Sequence, residues 1–565
     1  MKNYYGIDIK KQREKLLKSR AAKPILDKVI QKADLAITKG YLALKFSDYM
    51  IFAQTGDRKT FEKQYFERKN DCSYLAVAYW LTDDEKYRCP LIDLIFHICD
   101  EFSWCIPAHS LIYKGITAPE IIGQIDLFQA ETASLLTDVL AILGEKLPTL
   151  VHERVEYEIR RRIIEPICER EFHWQKESCK TNWAAVCAGG VAVPLLEFGT
   201  EEEINKALPV LSTCIEHYLE GFNDDGCCME GFTYWNYGFA YFAIFARLML
   251  EYTGSKVNYF EREKVKNIAC FFNKVRLGKT KIASFSDSGT DFSFSPGLIS
   301  YLKELYGDDF TRPALEFATR NGNIYVIRDL LWLDADYEED EFKNQTAYLG
   351  DAEWFIKRCE NYSFAAKAGH NDEHHNHNDV GSFILVTPDE QMPLADFGVG
   401  LYDSKTFDPA YRYKMIQNAS FGHSVPIING KYQNEGREFA ASDVKAGENE
   451  FSFDISGAYE KGLIKSLRRS FELKEDEIIL TDKAEYSAMT EHITERMVSW
   501  IKPVISEDSV KLGTVTILFD KNKFTASVTE DSIKSHTDAK PIKIYLIDFE
   551  AKVKGEEVFK FEIKV

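Results

Sequence analysis

Near residue 340 the chain changes texture, and that change limits what it can fold into. Up to about residue 330 the apolar residues recur at helical spacing, whereas beyond it they fall into short runs rich in β-branched and aromatic residues. A single uniform core does not accommodate two periods, so the chain reads as a helical domain followed by a sheet domain. At 565 residues it is also too long for one ordinary core. In residues 126–144, Phe128, Leu135, Leu136, Val139, Leu140 and Leu143 share one stripe, and Gly144 suits a C-cap. Residues 154–165 form a second helix carrying Arg160-Arg161-Arg162, which Pro166 is expected to stop or kink. Such helices follow one another with short polar connections and no fixed-period repeat, which predicts paired antiparallel helices in a bundle, solenoid or toroid. Residues 382–386, 464–473, 477–482, 510–519, 523–529 and 542–549 predict an antiparallel sandwich. The acidic run from Asp336 to Glu341 marks a linker, so the expected division is a helical domain over 1–335 and a β-sandwich domain over 336–565.

Composition excludes several classes of function. Apolar content of 45% describes a folded chain, and a net charge of −19 argues against non-specific nucleic-acid binding. A polyanionic ligand would therefore need a local basic cleft. The start, Met1-Lys2-Asn3-Tyr4-Tyr5, opens no apolar signal core, and no run reaches the length of a membrane span. A cytoplasmic protein is expected, or a periplasmic one if a leader has been removed. Twelve scattered cysteines without a C-x-x-C pair fit reduced thiols.

Chemistry concentrates in residues 369–383, where His370, His374, His375 and His377 stand among Asp372, Glu373 and Asp379. If this segment is extended, His375 and His377 project from one face, as a metal half-site or as a ligand beside a catalytic base. A solvated loop that happens to be rich in histidine is the plain alternative. Asp396 at the end of the next apolar run and His423 beyond it complete a two-nitrogen, one-oxygen set with His377, suited to zinc with one position open. The helical half has polar aromatic clusters around Trp104 and His109, around Asn182 and Trp183, and from Glu230 to Gly238. Each suits a helix end, and together they suit a sugar cleft, where rings stack on aromatic faces and hydroxyls find polar partners.

The set Asn182-Trp183, Glu230-Gly231-x-x-Tyr234-Trp235-x-Tyr237-Gly238 and His375-x-His377-x-Asp379-x-Gly381-Ser382-Phe383 closely resembles the heparinase II/III-like superfamily of polysaccharide lyases, which includes alginate lyases. The resemblance implies an incomplete (α/α) toroid followed by an antiparallel β-sandwich. It implies β-elimination beside a uronic acid, giving 4,5-unsaturated products from glycosaminoglycan fragments or, alternatively, alginate oligosaccharides. Asn182 is then the residue that neutralises the carboxylate, His375 a second donor or the base, and Tyr234 the base, the acid or both. Trp104, His109, Trp183, Glu230, Tyr237, Tyr411 and Arg412 become substrate contacts, and His377, Asp396 and His423 hold one divalent metal, zinc by preference. Three rivals stand beside this reading. Gly369-x5-His375-x-His377 opens a cupin-like metal motif but lacks the glutamate that should follow, where Gly381 and Ser382 stand. An inverting glycoside hydrolase would use two carboxylates among Asp224, Asp225, Glu230 and Asp287. A non-catalytic sugar-binding protein would use the same clusters without turnover.

Overall fold

The structure is a computed structural model that describes residues 6–41, 43–110, 115–315, 325–402 and 405–565. Its contacts divide the chain into two units, and the division does not fall at one chain position. The helical unit runs to Phe222 and adds Trp235–Ala269 and Ser293–Asp340, while the sheet unit takes Asn223–Tyr234, Cys270–Phe292 and Glu341–Val565. Two segments that precede residue 335 thus belong with the sheets.

In the helical unit, helix Leu127–Leu143 has the ends its sequence dictates: the Asp126 carboxylate accepts from the Gln129 N–H at 2.7 Å, and Gly144 leaves the helix with φ +51°. Leu135, Leu136, Val139 and Leu140 are buried. The stretch Leu127–Lys146 has, contrary to expectation, the length and hydropathy of a membrane span, but 83% of it is buried inside the protein. It packs on helix Asn182–Phe198, where Gly190 permits close approach, since a Cβ there would lie 2.9 Å from the Cβ of Ala130. Only Gly199 and Thr200 separate that helix from Glu201–Glu220, and a Thr200/Glu203 capping box opens the second member of the pair. The unit's first and last helices also meet: Gln12, on Ile9–Lys18, donates to the carbonyls of Leu330 and Leu333 at 2.9 and 2.8 Å. The result is the expected series of helix pairs, with the first helix hydrogen-bonded to the end of the last described one. Pro166 does not end its helix. Thr149–Ile159 continues through a π-helical turn at Arg160–Ile164 into Glu165–Glu169, and the wider turn accommodates the ring.

Among the described residues of the sheet unit, the large sheet has eight strands, in the order Val504–Ile505, Ser509–Leu512, Val515–Phe519, Glu556–Lys564, Glu477–Tyr486, Ile464–Leu473, Glu450–Asp454 and Ser442–Ala446. A second sheet orders Thr525–Lys534, Pro541–Lys552, His492–Ser499 and Ile427–Ile428, and a third orders Gln345–Leu349, Trp354–Arg358, Ser363–Lys367 and Phe383–Val386. All of these pairings are antiparallel. Residues 510–519 are two strands rather than one, because Gly513, at φ +64°, turns the chain between them. Phe519 and Phe561 of the large sheet meet Phe549 of the second at 5.0 and 4.9 Å, and Phe471 meets Phe364 of the third at 5.0 Å. Aromatic side chains thus fill the sandwich between facing sheets.

Candidate active site

The histidine-rich segment leaves strand Ser363–Lys367, pairs briefly at His370–Asn371 with Gly436–Ala440, and then turns. His375 has φ +58°, so it stands in a left-handed turn rather than on the extended strand that its spacing with His377 suggested. Buried groups fix this turn from below. Lys367 donates to Glu373 and Asp379 at 2.7 Å each; burial works against its charge, but the two carboxylates outweigh it and hold its pKa above the usual lysine value. One nitrogen of the buried Arg469 donates to the carbonyls of Gly381 and Ser424 at 2.9 and 2.8 Å, while Asp482 and Glu495 take the rest of the guanidinium. Arg469→Met is therefore expected to leave two buried carboxylates unpaired and two loops untied, costing about 3–5 kcal/mol in denaturant unfolding. A loss below ~1 kcal/mol would show that the loops are held by other means.

The segment Cys270–Phe292 of the sheet unit brings in Asp287. Glu390 accepts from the N–H groups of Lys279 and Thr280 at 2.8 and 2.9 Å, Ser284 donates to the Asp396 carbonyl at 2.8 Å, and the Val399 N–H donates to the Ser288 carbonyl at 2.9 Å. Gly398, at φ +61°, makes the last contact possible: a Cβ there would lie 2.0 Å from the Ser288 oxygen. Asp287 is thereby buried at a junction. It accepts from His375 Nδ1 at 2.6 Å, His377 Nε2 at 2.9 Å, the Tyr402 hydroxyl at 2.7 Å and Arg412 Nη2 at 3.4 Å. Burial alone would raise its pKa, but the hydrogen bonds from His375 and His377 hold it well below the usual carboxylate range.

Around this carboxylate stand two tyrosines and a second acid. The rings of Tyr234 and His375 stack with centroids 4.2 Å apart, and the hydroxyls of Tyr234 and Tyr402 lie 2.9 Å apart. Tyr402 already gives its proton to Asp287, so in that contact Tyr234 is the donor and carries its proton. Burial first, then the neighbouring Tyr234 and Asp287, raise Tyr402 well above the ordinary phenol value. With Nδ1–H on Asp287, the His375 atom left to accept a proton is Nε2, which faces Glu230 at 3.3 Å. The arrangement is an imidazole oriented by a buried carboxylate, stacked on a protonated phenol.

On the other side of Asp287 lies a group that could hold a metal ion. His377, Asp396 and His423 are fully buried and each offers one ligand atom within 4.8 Å of the others. His377 Nδ1 and His423 Nε2 are buried with no hydrogen-bond partner among the described residues, as expected of nitrogens that present lone pairs to a cation. The other nitrogen of His377 donates to Asp287 at 2.9 Å, the outer contact that ligating histidines use to fix their tautomer, and that of His423 donates to Asp396, itself one of the three, at 2.9 Å.

No family model matches the chain, and no curated protein does. Solved structures do. A heparan sulfate lyase from Pedobacter heparinus is 14% identical with TM-score 0.60, over 95% of this chain and 82% of that one. Heparinase III, also 14% identical, superposes with TM-score 0.63 over 90% of this chain and 77% of its own. The chain has the heparinase III fold. A chondroitin AC lyase from Streptomyces coelicolor A3, in complex with chondroitin sulphate, shares it at 8% identity, TM-score 0.55, over 98% and 82% of the two chains. A helical toroid and an antiparallel β-sandwich are therefore the architecture, as expected.

On the helical unit of this heparinase III fold, Asn182 is the buried first residue of helix Asn182–Phe198. The Trp183 ring lies between those of His109 and His173, at 4.8 and 4.7 Å, and His109 Nδ1 meets Asp126 at 2.8 Å. Trp104 departs from its expected role as a substrate contact. It is fully enclosed, its indole N–H donates to the Ile98 carbonyl at 2.8 Å, and Arg162 lies over its face at 4.8 Å. Tyr237 is likewise buried, against Tyr241.

On the sheet unit, Tyr411 is 43% exposed between Lys405 and Lys414, a placement open to an anionic ligand. Arg412 is buried instead, donating to the carbonyl of Asn376 at 2.8 Å as well as to Asp287, so it holds the loop rather than facing ligand. Tyr402 escaped the sequence reading, and Asp287 entered it only as a possible hydrolytic acid. Neither stands in a periodic or motif-like setting; the one local signal is the polar Ser286-Asp287-Ser288-Gly289 run inside an apolar region.

Proposed function

We propose that this protein is a carbon–oxygen lyase that cleaves uronate-containing glycans by β-elimination, most readily glycosaminoglycan fragments, with alginate oligosaccharides as the alternative. The observation that carries the reading is the Tyr234–His375 stack at 4.2 Å, with His375 Nδ1 fixed on buried Asp287. His375 Nε2 takes the C5 proton of the uronate, and Asp287 and Glu230 stabilise the imidazolium that forms. As the C4–O4 bond breaks and the C4–C5 double bond forms, Tyr234 gives its hydroxyl proton to O4. Tyr402, hydrogen-bonded between Tyr234 and Asp287, holds that hydroxyl in place. The role of Asn182, neutralising the substrate carboxylate, rests on the family resemblance alone.

His377, Asp396 and His423 would hold the metal, and zinc suits two imidazoles and a carboxylate. When bound, the ion supplies a fixed positive charge that keeps the loop bearing His375 in register. Adding zinc to metal-free protein at 100 to 1,000 times its Kd is expected to stabilise the fold by roughly 3–4 kcal/mol, read as a rise in Tm. His423→Ala should abolish that rise, and an equal rise in the variant would place the ion elsewhere.

Of the four carboxylates that a hydrolase could draw on, Asp287 is buried under four donors and is not free to exchange protons with substrate. Cysteines that stand outside disulfides among the described residues support a cytoplasmic setting, in which the enzyme would process imported oligosaccharides. Incubation with heparan, chondroitin, hyaluronan and alginate oligosaccharides, followed by ultraviolet absorbance of the unsaturated uronate, tests the proposal. It expects a rise with at least one substrate; new reducing ends without a rise would overturn elimination.

A further inference from the structure

A pocket of about 290 Å³ adjoins the loop that carries His375 and His377. Asn378, Tyr413, Lys431, Tyr432, Glu435 and Glu460 line it. Its floor shares the loop that carries His375. The Asn376 amide donates to Asn378 Oδ1 and to the Tyr413 hydroxyl, both at 3.1 Å, while the Asn376 carbonyl accepts from Arg412, which reaches Asp287. The floor is also rigid. Buried Gln433 donates from its side chain to the Val380 carbonyl at 2.7 Å and from its backbone to Ser420 Oγ at 2.9 Å, and Asn371 donates to its side-chain oxygen at 3.1 Å. On the open side, Tyr432 is 47% exposed with its ring backed by Phe421 at 5.2 Å.

Carboxamides, a phenol and an exposed aromatic face are the groups that bind a pyranose, the ring stacking on the aromatic and its hydroxyls meeting the amides. Charge selects which pyranose. Two carboxylates, Glu435 and Glu460, stand against the one cation, Lys431, so a second uronate would meet like charge, whereas a sugar without its own carboxylate would not. We infer that this pocket binds a hexosamine, the neighbour of the reacting uronate in the same glycan. The inference rests on the elimination reading for its link to catalysis, and it deepens that reading. A hexosamine pocket fits the alternating chains of glycosaminoglycans and not alginate, in which every unit is a uronate.

Binding of N-acetylglucosamine and of glucuronate to the full chain, followed by ligand-observed NMR titration, tests this without turnover. N-acetylglucosamine is expected to bind about fivefold more tightly than glucuronate. Tyr432→Ala, at an exposed position, should weaken N-acetylglucosamine about tenfold. The double variant Glu435→Gln/Glu460→Gln should narrow the difference between the two sugars. Glucuronate binding as tightly as N-acetylglucosamine, no binding of the latter, or an unchanged Tyr432→Ala variant would each overturn the inference. If unsaturated product forms but the hexosamine does not bind, the pocket assignment falls alone. If the hexosamine binds and no unsaturated product forms from any substrate, the elimination reading falls and the pocket stands.

Discussion

Tyr234→Phe is expected to lower kcat on uronate oligosaccharides by about 10²–10⁴-fold, the usual worth of a positioned proton donor. The change removes one oxygen and keeps the ring, so the stack on His375 at 4.2 Å persists and substrate binding should change little. Stability should fall by about 1 kcal/mol, the usual net worth of a hydrogen bond such as the partly buried one to Tyr402. The assigned direction of proton flow makes a sharper demand. A substrate whose O4 leaving group is a phenol of low pKa departs without protonation, so it should restore most of the rate in Tyr234→Phe and none in His375→Ala. Rescue of His375→Ala instead would exchange the two roles.

Asp287→Asn is expected to be nearly as damaging, although Asp287 is buried beneath the groups that would meet substrate. The carboxylate accepts from both His375 Nδ1 and His377 Nε2, one on each oxygen. An amide has only one oxygen, so its NH2 must face one of the two imidazoles and drive that ring to its other tautomer. If His375 is the one turned, Nε2 becomes a donor and the base is lost, at a cost of about 10⁴-fold, as in triads that lose their orienting carboxylate. If His377 is turned, Nδ1 can no longer ligate, and metal affinity should fall about 10- to 100-fold. Measuring kcat and zinc affinity on the same protein separates the two. A variant unchanged in both would show that Asp287 is only a structural acceptor.

Local signals were legible in the sequence, and long-range ones were not. The caps Asp126 and Gly144 bound helix Leu127–Leu143 as read, because capping and periodicity act within a few residues. Strand Ile464–Leu473 likewise ends where its apolar alternation ends. The grouping of His377, Asp396 and His423, which could hold a metal ion, was legible because these residues have few other reasons to share a buried place. Asp287 was not, because the segment that carries it lies within the helical stretch of sequence yet packs with the sheets, a partition that no local period encodes. Trp104 and Arg412 were misassigned for a related reason. Their types suit a sugar cleft and a buried cation–π or carbonyl-clamping role equally well, and only burial distinguishes the two.

Elimination itself is tested most directly by cleaving a uronate oligosaccharide in H2¹⁸O and weighing the products. The account predicts that neither fragment gains ¹⁸O during bond cleavage and that the fragment bearing the uronate is lighter than the hydrolytic product by one water. One ¹⁸O atom incorporated per bond cleaved, with no unsaturated fragment, would contradict it.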